Sequence, residues 1–137
     1  METLFLTSLH ETSGRTAIIE ESEGCIWLYV TAPNSNEPEW DCWLANTIPF
    51  ESMPELDYFR GWQLPPPAIE EFAGPGAVIE DPASSSWKLR WCADGSAATA
   101  LRDDRPIGKI VVDPPTSLSI HIVKSGPWGE PWDGKLV

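Results

Sequence analysis

Fourteen prolines and ten glycines punctuate this 137-residue chain, and their placement decides which folds are open to it. Proline lacks a backbone donor, so it breaks helix interiors and central strands alike. Six prolines and three glycines fall in the 30 residues from Thr47 to Gly76. A regular sheet cannot run through that stretch. At most, Pro67 to Phe72 could form one short helix with proline in its first turn. The segment also carries Phe50, Leu56, Tyr58, Phe59, Trp62, Leu64 and Phe72, which should pack on whatever the rest of the chain builds. An irregular segment of this length either covers an open end of a sheet structure or is a functional loop.

On both sides of it the chain reads as strands. Thr3 to Leu9, Arg15 to Glu21 and Cys25 to Thr31 are rich in β-branched and aromatic residues, with turn chemistry at Ser13-Gly14 and Glu23-Gly24 between them. Cys25 to Val30 is apolar throughout, which predicts a central strand covered on both faces. Pro33 to Pro38 is a turn cluster, and Glu39 to Asn46 is the next strand. After the proline-rich segment, Trp87, Leu89 and Trp91 alternate with Lys88 and Arg90, the pattern of a half-buried antiparallel strand. Asp94-Gly95 signals a hairpin into Ser96 to Arg102. A turn at Asp103 to Pro106 leads to Ile107 to Val112, which Asp113-Pro114-Pro115 ends. Ser117 to Val123 then places Leu118, Ile120 and Ile122 on an inner face, with His121 on the polar one. The expected fold is mainly β: an antiparallel β-sandwich or open barrel of about eight strands, forming a single domain over residues 1–137. A tail of tryptophan, proline and glycine, residues 125–137, completes it.

Net charge is −12, and it is unevenly spread. Met1 to Asp81 holds 15 acidic residues against Arg15 and Arg60, a balance of −13, whereas Pro82 to Val137 balances at +1. A negative field of this kind repels nucleic acid and anionic membranes and steers basic partners inward; it also simply favours solubility. No apolar run approaches the roughly 20 residues that span a bilayer, and no secretory signal is visible at Met1, so a cytoplasmic location is expected. The three cysteines, Cys25, Cys42 and Cys92, are widely spaced and odd in number. Each sits in an apolar run and is expected to act as a small buried hydrophobe, with a Cys25–Cys42 bridge open to an oxidising compartment.

The chain carries no signature of catalysis. Its two histidines, His10 and His121, lack metal-ligand spacing, no nucleophile motif flanks Cys92, and no glycine-rich loop opens a helix. Glu37, Glu39 and Asp41 beside Trp40 and Trp43 could supply an acid pair, but any chain this acidic offers such pairs by chance. The expectation is a protein that is not an enzyme and needs neither metal nor cofactor.

Binding remains. Of the eight tryptophans, Trp27, Trp43, Trp87 and Trp91 occupy strand positions and should be core. Trp40, Trp62, Trp128 and Trp132 sit in turns or irregular chain, where an indole serves as an interface anchor. Glu37, Glu39, Trp40, Asp41, Glu51, Glu55, Asp57, Tyr58 and Trp62 form the expected partner-binding set, a charged surface with aromatic anchors on the Glu37-to-Gly76 side. In this combination of small size, acidity and aromatic anchors the chain resembles bacterial toxin-immunity proteins. Its "IWLYVT…DCWLAN" strands and "GPWGEPWD" tail look like those of small bacterial proteins. The resemblance implies an inhibitor that blocks the active site of a basic toxin. Two alternatives stand beside it. One is a small-ligand or carbohydrate-binding β-domain that stacks its ligand on Trp128 and Trp132, with the tail instead serving as a clamp on the domain edge if those indoles are buried. The other is a structural subunit without activity of its own.

Overall fold

The computed structural model describes residues 3–50, 72–74, 76–126 and 128–135. Two sheets lie face to face. The first has the order β1(Phe5–His10), β2(Arg15–Ser22), β3(Cys25–Thr31), β4(Pro38–Asn46), all antiparallel. The second has the order β5(Trp87–Trp91), β6(Ala97–Arg102), β7(Arg105–Val112), β8(Pro115–Ser119), β9(Glu130–Pro131), antiparallel except for the parallel β8–β9 pair. The mainly β architecture read from the sequence is the one observed, with nine described strands and no closed barrel.

Alternation explains how the sheets meet. Ala17, Ile19, Ile26, Leu28, Val30, Cys42 and Leu44 of the first sheet pack against Ala98, Ala100, Ile107, Ile110 and Val112 of the second. Trp87, Leu89 and Trp91 close one side of this core, half-buried, while Lys88 and Arg90 point outward as expected. β3 is buried on both faces. Its outward-facing Cys25 and Trp27 join Trp43, Ala77 and Ile122 in a second apolar cluster, with Phe50, Ala73 and Trp128 at its rim.

The second sheet packs tightly on the first at Gly108, which lies opposite Ala100 on β6 and Ser119 on β8. A Cβ there would run into the Leu44 side chain. Overpacking of this kind costs about 1–3 kcal/mol. Gly108→Ala is therefore expected to lower stability by that amount in urea unfolding. A neutral Gly108→Ala would mean that the sheets yield there.

Turn chemistry fixes the β6–β7 hairpin. Asp103 and Asp104 both take positive φ, 51° and 65°, the two-residue geometry that matches strand twist. The turn is thus shorter than the sequence suggests. Arg105 and Pro106 already belong to β7, and Pro106 is tolerated because the ladder shifts register between Ala100 and Leu101. Pro115 opens β8 rather than ending its neighbour.

Three expectations are corrected. The stretch from Ser117 to Val123 is not one strand: β8 ends at Ser119 and the chain turns, with Ile122 N donating to Ser119 O at 3.3 Å. Leaving the sheet breaks the alternation, so Ser119, His121 and Ile122 are buried while Leu118 and Ile120 are only half-buried. Trp40 lies inside β4 rather than in a turn, half-buried against the inter-sheet core. Cys92 is exposed, because it stands one residue past β5 in the hairpin loop, where the core no longer covers it. Cys25 and Cys42 are buried free thiols. The short helix expected over Pro67 to Phe72 lies almost wholly outside the described residues.

Candidate acidic groove

The sandwich is clipped at both ends of the first sheet. On the β1 side, Trp91 Nε1 donates to Ser8 O at 3.1 Å, and the His10 ring contacts Trp91 with centroids 5.4 Å apart. His10 also bonds Ser13 Oγ through Nδ1 at 2.9 Å and Ala93 O through Nε2 at 3.1 Å. Both ring nitrogens are committed to this clip, which leaves no free base beside Ser13.

On the β4 side the second sheet folds over the edge strand. Trp43 N donates to Trp128 O at 3.2 Å, Ser117 Oγ to Asp41 O at 2.6 Å, and Cys42 Sγ to Leu118 O at 3.3 Å. Where β4 runs past β8 and β9, a shallow open groove of about 400 Å³ remains. Glu39, Trp40 and Asp41 line one wall, Pro115 to Ser117 and Glu130 the other. Glu39, Asp41 and Glu130 are exposed. No ion pair between described residues engages any of the three. Ser125 Oγ donates to Glu130 Oε2. Neighbouring side chains crowd the Asp41 carboxyl enough for desolvation to raise its pKa above the ordinary value.

One described cation beside the groove is used elsewhere. Arg15 stacks its guanidinium over the Trp40 ring, 5.5 Å from the centroid, which fixes the indole from within and leaves the carboxylates unneutralised. Just outside the groove on the first sheet's outer face, Tyr29 lies opposite Asp41 and stacks on Trp27 at 6.2 Å. Burial raises the Tyr29 pKa, and the charges of Glu20, Asp41 and Cys25 add to the effect. The phenol therefore stays protonated and can donate beside these acids.

Of the residues expected at a partner site, Glu39, Trp40 and Asp41 come together on this groove, and Glu37 stands exposed just before β4. Glu51, Glu55, Asp57, Tyr58 and Trp62 lie outside the described residues. Trp128 is half-buried, its ring against Phe72 with centroids 5.0 Å apart and its carbonyl held by Trp43 N. That is the placement of a clamp. Trp132 is half-buried. Glu130 and Ser117 were not legible as site residues, because contacts distant in sequence bring them beside β4: the β8–β9 pairing and the Trp43 N–Trp128 O bond for the tail, and the Ser117 Oγ–Asp41 O bond for β8. Nothing local in the sequence signals that pairing.

Two cations lie on the same cross-strand row of the second sheet as Glu130, with Lys109 separated from it by Leu118. Arg90, Thr99 and Lys109 are register neighbours across β5, β6 and β7 and line a second depression of about 330 Å³ with Cys92.

Among the described residues no three His, Cys, Asp or Glu side chains are grouped so as to hold a metal ion. His121 Nδ1 lies 2.7 Å from Leu44 O and Cys92 Sγ bonds Asp94 Oδ1 at 2.9 Å, so each is committed to a different partner. Burial pushes the Cys25 thiol up to about 12 and raises Cys42 further, so neither is a nucleophile near neutral pH.

His121, at 7% exposure, gives the fold a pH dependence. Desolvation lowers its pKa in the folded state, opposed by the bond to Leu44 O and aided by the charge of Arg102. A histidine whose folded pKa lies below its unfolded value of about 6.5 contributes fully above that value, and the contribution is lost as pH falls through the folded pKa. Stability should therefore decline from about pH 6.5 downward, and His121→Gln should flatten that limb. An unchanged pH profile in His121→Gln would remove this assignment.

No family model, curated protein or solved structure matches the chain. None of the helices among the described residues is long and apolar enough to cross a membrane.

Proposed function

We propose that this is an acidic binding protein of the immunity type, which neutralises a basic toxin or enzyme by occupying its active-site cleft. One observation carries the reading: Glu39, Asp41 and Glu130 line a single groove with Trp40 and form no ion pair with a described cation. Carboxylates held apart from their own cations are an unspent source of attraction for lysine and arginine, and arginine can engage a carboxylate through two parallel bonds. The half-buried Trp40 supplies the apolar floor that slows release once water is expelled. Three free cysteines suit a reducing compartment, and the proposal places the protein in the cytoplasm.

The test begins with affinity capture from the source organism and continues with the purified pair. A basic protein whose activity is blocked stoichiometrically, and whose association slows as salt rises, is the expected result. Capture of an acidic or neutral partner with salt-independent kinetics would defeat the reading.

A further inference from the structure

Sheets expose two edges each, and among the described residues three of the four edges here carry a protecting device at the rim. β4 is bonded to Trp128 and Ser117, β5 carries exposed Lys88 and Arg90, and β9 is two residues long and ends in proline. β1 is clipped to β5 from its inner side by Trp91 and His10, but among the described residues nothing pairs with its outer rim. Its sequence, Phe5–His10, contains no Lys, Arg, Asp, Glu or Pro, and its register with β2 runs without a bulge. It also presents the two most exposed large apolar side chains described, Phe5 at 64% and Leu9 at 59%. An uncharged, regular, apolar edge is a template for adding a strand.

The free edge can be read residue by residue. Leu4 O accepts from Glu21 N and His10 O from Gly14 N, so even-numbered residues turn their main-chain groups toward β2. Phe5, Thr7 and Leu9 therefore turn theirs away from the sheet, and the same three side chains lie on its outer face. From the inner side Trp91 holds the strand in place through Ser8 O.

The geometry points to a second copy of this chain as the occupant, paired antiparallel through β1 about a twofold axis at Thr7. That register sets Thr7 against Thr7 of the second copy, Phe5 against Leu9 and Leu6 against Ser8, so outer-face residues meet outer-face residues throughout. Glu11 falls opposite Thr3, and no two charges face each other. A basic partner gains nothing from this edge, because β1 offers it no carboxylate. The edge is self-complementary by apolar pairing alone, which contributes in cross-strand contacts. The result is one continuous eight-stranded sheet with an acidic groove at each far end, since β1 and β4 are opposite edges of the same sheet. The inference is independent of what the groove binds.

Sedimentation velocity of the full chain, from micromolar to millimolar concentration, tests it. The expected result is a concentration-dependent shift from 15.2 kDa to twice that mass. Thr7→Lys sets like charges directly opposite each other and should raise the dimer dissociation constant by about tenfold or more. Mixing Thr7→Lys with Thr7→Glu should restore association as a mixed dimer. Phe5→Ser removes the apolar cross-strand pair and should weaken the dimer without a charge change. Both sites are exposed, so thermal midpoints should stay near that of the unaltered chain. A protein that remains 15.2 kDa at every concentration, or a dimer indifferent to both substitutions, would overturn the proposal.

Discussion

Trp43→Ala is expected to destabilise the protein by about 3–5 kcal/mol, the range for emptying a buried large aromatic site. For a domain of this size that corresponds to a fall in the thermal midpoint of about 10 °C or more. The indole is fully buried and sits at the centre of the second apolar cluster, between Trp27 and the segments around Ala77 and Ile122. It also donates from Nε1 to Asn46 Oδ1 at 3.0 Å, within a buried site where Asn46 Nδ2 already lacks a partner. Asn46 in turn ties the end of β4 to residues 77–79, through its N to Ala77 O and its O to Ile79 N. Removing Trp43 therefore opens a cavity and leaves Asn46 Oδ1 with only the weak Cys25 Sγ bond at 3.4 Å. Trp43→Phe keeps most of the packing and loses only the N–H, a cost of about 1–2 kcal/mol. Chemical denaturation of both variants checks the ranking. If the alanine variant lost no more than the phenylalanine variant, the cluster would not be a second core.

That second core shows where sequence reasoning succeeds and where it stops. The apolar run from Cys25 to Val30 implied cover on both faces of one strand, and both faces of β3 are covered. The strand alternation of Trp87 to Trp91 and the turn residues Gly14, Gly24 and Asp103-Asp104 were readable because each acts over two to four residues. What was not readable is set by contacts distant in sequence. Ser117 to Val123 alternates like a strand, yet Gly74 N pulls His121 O out of the sheet at 2.8 Å, and no local pattern records that bond. Trp40 stands second in the expected strand Glu39 to Asn46, just after a turn cluster, and local pattern does not show that Arg15 on β2 holds it from below. The candidate site follows the same division. Its β4 wall was visible as clustered charge beside an indole; its β8–β9 wall was not, since a parallel pairing of two residues leaves no trace in sequence.

Reversing Glu39, Asp41 and Glu130 together to lysine is expected to slow association with a basic partner by about one to three orders of magnitude at low salt. The argument turns on position rather than total charge. The chain at −12 attracts cations from every side, so a loss of net charge alone also slows encounter. Reversing Glu11, Glu80 and Asp81, three exposed acids away from the groove, changes the net charge by the same amount. If the groove is the docking surface, the first triple also speeds dissociation, because lysines would then be buried against the partner's own cations, whereas the second changes only the encounter rate. Asp41 should contribute most to the dissociation term. Its carboxyl is already partly desolvated, and a charge that has lost water interacts more strongly with the ion that replaces it. Trp40→Ala completes the measurement: it leaves every charge in place, removes the apolar wall and frees Arg15, and should raise the dissociation rate while barely touching association. Stopped-flow kinetics across a salt series separates these effects. Equal losses from the two charge triples, with no change in dissociation from either, would place the interface elsewhere on the acidic half of the molecule.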